Sequence, residues 1–133
     1  MKYILDANAA VAAMNGVSAI RAHLAALPAT EVGIPIVAVA ELLFGAHKSR
    51  RREENLARIS ALRRTVAVLP LTDEVAALYG EKRALLESRG LAKSDFDLLI
   101  ACTALEHDAV LVTSDGGLLD GSIPRLRAEN WLA

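Results

Sequence analysis

Short apolar runs alternate with helical stretches along this chain, and that alternation constrains its fold more than any other feature. Residues 2–6 read as a short buried strand, 33–37 as a second, Val66-Ala67-Val68-Leu69 as a third and 109–113 as a fourth, with 125–128 a candidate fifth. Pro35 argues that the second strand begins there or lies at an edge. The intervening stretches read as helices. Asn8 is placed to cap one over 9–14, closed by Gly16, and Ser18 to cap another over 19–27, ended by Pro28. Ala38 to Lys48 and residues 52–64 form two more. Thr72 opens a long helix with Val75, Leu78, Tyr79, Leu85 and Leu86 on its apolar face, closed by Gly90, and Ser94 or Asp95 caps a helix over 96–106. Strands separated by helices imply an α/β fold: a central, mostly parallel sheet with right-handed crossovers and helices on both faces.

Composition narrows the class. A chain of 133 residues is the size of one domain and is long enough to bury a real core. It is 53% hydrophobic, much of that alanine, yet no apolar stretch reaches the roughly 18–20 residues of a membrane span. One lysine, a short apolar run and then Asp6 do not make a signal peptide. The single cysteine, Cys102, lies in an apolar helical segment and reads as a buried, inert thiol. These points favour the cytoplasm. The formal net charge of −1 does not advertise nucleic-acid binding, so any basic surface must be local.

Four acids each stand alone beside an apolar run. Asp6 is the only charge between Tyr3 and Ile20, and Glu41 the only one between Val32 and Ala46. Asp97 opens Leu98-Leu99-Ile100-Ala101, and Asp115 closes Val110-Leu111-Val112-Thr113-Ser114. An ionised carboxylate beside buried apolar segments is costly unless something compensates it. Ligand sites in open parallel sheets lie at the carboxyl ends of the strands. Asp6 and Asp115 fall at such ends, and Glu41 and Asp97 fall in first helical turns expected to begin near the same edge. The four therefore make a convergent acidic site. Gathered carboxylates repel one another unless a cation neutralises them, and oxygen donors without His or Cys favour Mg²⁺ or Mn²⁺ over Zn²⁺.

These residues resemble a known family. Met1-Lys2-Tyr3-Ile4-Leu5-Asp6-Ala7-Asn8 is similar to the opening of PIN-domain ribonucleases, especially the VapC-type toxins of bacterial toxin–antitoxin pairs. Val39-Ala40-Glu41-Leu42-Leu43-Phe44-Gly45-Ala46 resembles their second acidic motif, Asp97-Leu98-Leu99-Ile100-Ala101 the third, Leu111-Val112-Thr113-Ser114-Asp115 the fourth, and Arg127-Ala128-Glu129-Asn130-Trp131 their close. The resemblance spans nearly the whole chain and implies a single PIN-like three-layer α/β/α domain over 1–133. It implies a metal-dependent endoribonuclease that hydrolyses phosphodiester bonds in structured RNA loops, with Asp6, Glu41, Asp97 and Asp115 as ligands of Mg²⁺ or Mn²⁺. It also implies a neutralising VapB-type antitoxin, a homodimer, and contact with DNA only through that antitoxin. Ala7 departs from the pattern, in which a Thr or Ser commonly follows the first Asp. Asn or Asp is found at the fourth position, so Asp115 is the least constrained ligand. Asp120 is a second candidate in its region, and Asp95 is a decoy two residues before Asp97.

Each residue also has a plainer reading. Asp6 could cap the next helix, Glu41 and Asp97 could complement helix dipoles, and Asp115 could serve the turn before Gly116-Gly117. Asn8 reads first as a cap, and Thr113 and Ser114 as ordinary strand-end hydroxyls, although all three are placed to touch substrate. Arg50, Arg51 and Arg52, in the run that begins at His47, form a solvated helix junction or a phosphate-binding patch. Trp131 reads as a packing anchor. Two rival functions remain open from the residues: a Mg²⁺-dependent phosphatase with Asp6 as nucleophile, weakened by Asn8 where a second Asp would stand, and an inactive RNA-binding or regulatory domain, for which Ala7 speaks.

Overall fold

The computed structural model describes residues 1–132. Five strands, β1 (Tyr3–Leu5), β2 (Val32–Pro35), β3 (Ala67–Leu69), β4 (Val110–Val112) and β5 (Ala128–Glu129), form one sheet in the order β3-β2-β1-β4-β5. Every pairing is parallel. The helices are α1 (Ala7–Met14), α2 (Ser18–Ala25), α3 (Ile36–Lys48), α4 (Arg52–Thr65), α5 (Asp73–Ser88), α6 (Asp95–Glu106) and α7 (Gly116–Leu119), with a 3₁₀ turn over Ala29–Glu31.

Alternate strand residues serve two cores. Ile4, Ile34 and Leu111 face one cluster with Val39, Leu42, Val75, Leu86, Leu98 and Ile100 from α3, α5 and α6. Leu5, Val32 and Val112 face the other, with Ala9, Ile20 and Trp131 from α1, α2 and the C-terminal segment. This is the three-layer α/β/α arrangement expected, and a strand buried on both faces needs apolar side chains at every position. Trp131 is the anchor foreseen: it stacks on His23 at 4.6 Å between ring centroids and lies 5.0 Å from Tyr3. Cys102 is buried, which pushes its thiol up to about 11. Among the described residues no helix is long and apolar enough to cross a membrane.

Several local expectations are corrected. The cap of α1 is Asp6, not Asn8, because the helix starts directly at the strand end; Asn8 is exposed within it. Val17, not Ser18, precedes α2, which ends at Ala25, and Pro28 instead leads into the 3₁₀ turn. Pro35 is the last residue of β2 in the sheet interior, neither its start nor at an edge. It is tolerated because the ladder to β1 already ends at Gly33 and because Pro35 occupies the cap position of α3, where no N–H is required. Helix α3 therefore begins at Ile36, and Glu41 sits in its second turn, too deep to act as a first-turn partner of the helix dipole. The last strand is Ala128–Glu129 rather than 125–128, since Arg125 adopts a left-handed φ of 68° that no strand allows.

Candidate active site

The parallel pairing of β1 with β4 sets Leu5 opposite Val112, and the Asp6 N–H donates to the Val112 carbonyl at 3.1 Å. Both chains leave the sheet at this carboxyl edge, so Asp6 and Thr113 emerge side by side. Asp6 is 7% exposed. Its Oδ1 accepts the Ala9 N–H at 2.8 Å, which caps α1 and fixes the carboxylate. Thr113, also buried, presents its hydroxyl both to Asp6 and to the Asp115 N–H, at 3.0 Å from the latter. Asp115 caps the short helix α7 through the Gly117 N–H at 2.8 Å, so its plainer reading as a turn residue is also realised. Helix α6 ends just before the amino end of β4, which returns its first turn, with Asp97, to the carboxyl edge. Ser94 caps that helix by accepting the Asp97 N–H at 3.1 Å.

The charges of these acids act on one another in pairs: Asp6 with Asp97 and Asp115, Glu41 with Asp97 and Asp6, and Asp97 with Asp115. Burial pushes the Asp6 carboxyl above its ordinary range; the Thr113 hydroxyl and Ala9 N–H pull it back, and Asp97 and Asp115 push it up again. Glu41 is raised by burial, then by Asp97 and Asp6. Asp97 is raised by burial and by Asp115 against it, with the Ser94 hydroxyl and the Lys93 ammonium opposing. Neighbouring carboxylates thus penalise one another's charge, which is the condition a cation relieves. Among the described residues no three His, Cys, Asp or Glu side chains stand close enough to enclose a metal ion as they are. The donor set nevertheless fits a hard divalent cation in chemistry and charge: carboxylate oxygens and a hydroxyl, with no soft ligand.

Other candidates separate clearly. Asn8 and Glu41 line a cavity of about 350 Å³ between α1 and the α3–α4 pair, whose remaining wall includes Val11, Met14, Leu42, Ala46 and Ile59. Ser114 is exposed beside Asp115. Arg50, Arg51 and Arg52 are exposed at the α3–α4 junction, where Arg51 makes only a 3.8 Å contact with Glu54. Asp95 faces α5 instead of the cleft, bonded to the Tyr79 hydroxyl at 2.6 Å and to Arg83 at 3.1 Å. Asp120 is engaged by Ser122 and Lys93, and Ser122 chiefly holds its carboxyl down to about 2. Two residues passed unnoticed in the sequence. Arg58 reaches from α4 to the Met14 carbonyl and to Asn15, bridging the cavity wall. Lys93 packs its side chain, only 9% exposed, against the turn that carries Asp115. A lone lysine two residues before a capped acidic turn was the only signal for the latter.

Fold and site together define an α/β protein with an acidic cleft at the carboxyl edge of a five-stranded parallel sheet. Residues 3–121 match the PIN domain. The chain belongs to the PIN-domain family, in its VapC-type branch. It is 32% identical to Ribonuclease VapC2 of Rickettsia felis over 98% of each chain, and 29% identical to the tRNA(fMet)-specific endonuclease VapC of Shigella flexneri, again over 98% of each. The crystal structure of VapBC2 from Rickettsia felis bound to a promoter DNA fragment superposes with a TM-score of 0.90 at 32% identity, covering 98% of this chain and 99% of that one.

The raised carboxyls carry a sign. An acid whose folded pKa lies above its unfolded value favours folding below the unfolded pKa, and that contribution is lost as pH rises through the folded value. In chelator, Glu41→Gln and Asp97→Asn should therefore raise the melting temperature at pH 7, with the gain vanishing below about pH 4, where the parent acids are protonated. A melting series against pH checks this; an equal gain at pH 3 and pH 7 would show that charge repulsion is not its cause.

Proposed function

We propose that this chain is a metal-dependent endoribonuclease toxin that hydrolyses phosphodiester bonds in structured RNA loops in the cytoplasm. The observation that supports this most is the convergence of Asp6, Glu41, Asp97 and Asp115 from four separate segments at one sheet edge, each of the first three raised by burial and then by its acidic neighbours. These four would hold Mg²⁺ or Mn²⁺, which when bound supplies a more acidic water and stabilises charge on the scissile phosphate. The chain's own groups prepare that site. The Ala9 N–H and Thr113 hydroxyl hold Asp6, the Gly117 N–H holds Asp115, and Ser94 anchors the turn that carries Asp97. Asn8 and Ser114 lie where a substrate strand would pass. Water adds to phosphorus, the bond to the 3′-oxygen breaks, and the products are a 5′-phosphate and a 3′-hydroxyl that takes up the proton. Ala7 leaves all these contacts in place, since none of them involves a hydroxyl at that position.

Mapping cleavage of total cellular RNA by the purified protein, with and without divalent metal, tests the reading. Asp6→Asn, Glu41→Gln and Asp97→Asn should each lower the rate by at least about 100-fold with the fold intact. Asp115→Asn should be milder, because an amide oxygen retains ligand capacity. Wild-type activity in any of the first three would remove that residue from the site.

Arg50, Arg51 and Arg52, exposed at the α3–α4 tip with only surface contacts from Arg51 to Glu54 and from Arg52 to the His47 carbonyl, are placed to grip the backbone beyond the cleft. Replacing all three by Gln should weaken RNA binding and flatten its salt dependence by up to about 2 in log–log slope, at roughly 0.7 per single-strand phosphate contact. An unchanged slope would return the run to a solvated junction.

The partner follows from the groove. The 350 Å³ cavity beside Glu41 shares Met14 and Arg58 with a second cavity of about 570 Å³ along α1, α2 and α4, lined by Ala13, Leu24, Ala61 and Leu62. An apolar segment of a VapB-type antitoxin would lie along this path and direct a cationic side chain, an Arg, toward the carboxylates. DNA contact would come through that antitoxin, and a homodimer is the assembly the family implies. Expression of the chain alone should arrest growth, and Asp6→Asn or co-expression of the antitoxin should relieve it. Harmless high-level expression would defeat the toxin reading.

A further inference from the structure

Lys93 is a charged side chain that the reading above does not use, and its burial needs an explanation. It precedes α6, on the loop that follows α5, and its side chain is 9% exposed. An ammonium removed from water is costly unless its donors are satisfied. Two partners are present. Nζ donates to the Gly117 carbonyl and to Asp120 Oδ2, the latter at 3.2 Å. Gly117 is also the residue whose N–H holds Asp115 Oδ1 at 2.8 Å. One peptide unit away from Asp115's own anchor, the lysine therefore grips the same four-residue helix that Asp115 caps. Space there is tight: a Cβ at Gly117 would stand 3.3 Å from Asp115 Oδ1 and 3.5 Å from Lys93 Nζ. Helix α7 is a single turn and cannot hold itself in place by its own hydrogen bonds.

We infer that Lys93 is a positioning residue of the acidic cleft: by tying the α7 turn to the start of α6, it sets Asp115 against Asp97. This rests on the endoribonuclease reading for its catalytic consequence, while its structural half stands without it. A surface latch to Asp120 alone would need neither the burial nor the bond to the Gly117 carbonyl.

The test uses the full chain with Lys93→Met, Lys93→Arg, Asp115→Ala and the Lys93→Met/Asp115→Ala double variant. Hydrogen exchange read by NMR or mass spectrometry reports the structural half whether or not the protein cleaves RNA. Lys93→Met should speed exchange of the Gly117, Leu118 and Leu119 amides by about tenfold or more while core amides such as Leu111 stay protected. In metal-activated cleavage of single-stranded RNA, Lys93→Met should lower kcat by about 10–100-fold with KM little changed, as for other residues that orient a ligand. Lys93→Arg should recover most of that loss. The double variant should be no slower than Asp115→Ala alone, because a residue that acts through Asp115 loses its effect when Asp115 is gone. Unchanged exchange at Gly117 overturns the inference even if the wild type is inactive. With an active wild type, unchanged kcat in Lys93→Met, or losses that multiply in the double variant, overturn it as well. A wild type that does not cleave RNA, together with faster exchange in Lys93→Met, would sink the functional reading and leave the positioning role standing.

Discussion

The site depends on the register between β1 and β4. Parallel pairing of Leu5 with Val112 makes the two central strands end together, and the next residue of each chain, Asp6 and Thr113, steps off the sheet at the same level. A shift of one residue would turn Ile4 and Leu5 to the wrong cores and carry Asp6 away from Thr113. The two apolar layers therefore enforce the same alignment that the polar edge requires.

At that edge the energetics reverse. Burial and mutual repulsion raise Asp6, Glu41 and Asp97 together, so the cleft is the place where the fold gives up stability at neutral pH. Neutral groups hold Asp6, Asp97 and Asp115 in place: the Ala9 N–H and Thr113 hydroxyl bond Asp6, the Ser94 hydroxyl bonds Asp97 and the Gly117 N–H bonds Asp115, with no arginine among these partners. A cleft braced in this way keeps its negative charge for a cation and, beyond it, a phosphate. The exception is Lys93, whose ammonium is committed to the α7 turn and Asp120.

The groove between α1 and the α3–α4 pair gives the cleft a second approach. Its walls are mostly apolar, with Asn8, Asn15, Asn55 and Arg58 among them, where the edge is acidic, and Glu41 belongs to both. Under the proposed function, an antitoxin segment and an RNA strand would meet at the same side chain, and occlusion by one would exclude the other without any change in the fold.

Much of this was legible in the sequence because it is local. Apolar runs of strand length separated by helical stretches specify a parallel sheet, and single acids isolated in apolar surroundings mark positions that a core alone would not keep. The caps Thr72 and Ser94 were equally readable, since a cap bonds a residue three positions on. What the sequence misplaced depended on how elements join. Asn8 has the chemistry of a cap, but α1 begins at the strand end and Asp6 takes the role. Pro35 has the look of an edge residue, but the ladder to β1 stops short of it. Arg125 could not be seen to leave the strand region. Lys93 and Arg58 were invisible for the same reason: a lysine 24 residues from Gly117, or an arginine 44 residues from Met14, has no local pattern. Chain chemistry within one turn determined the elements and the four acids; only packing across the sheet decided which side chains hold those acids in place.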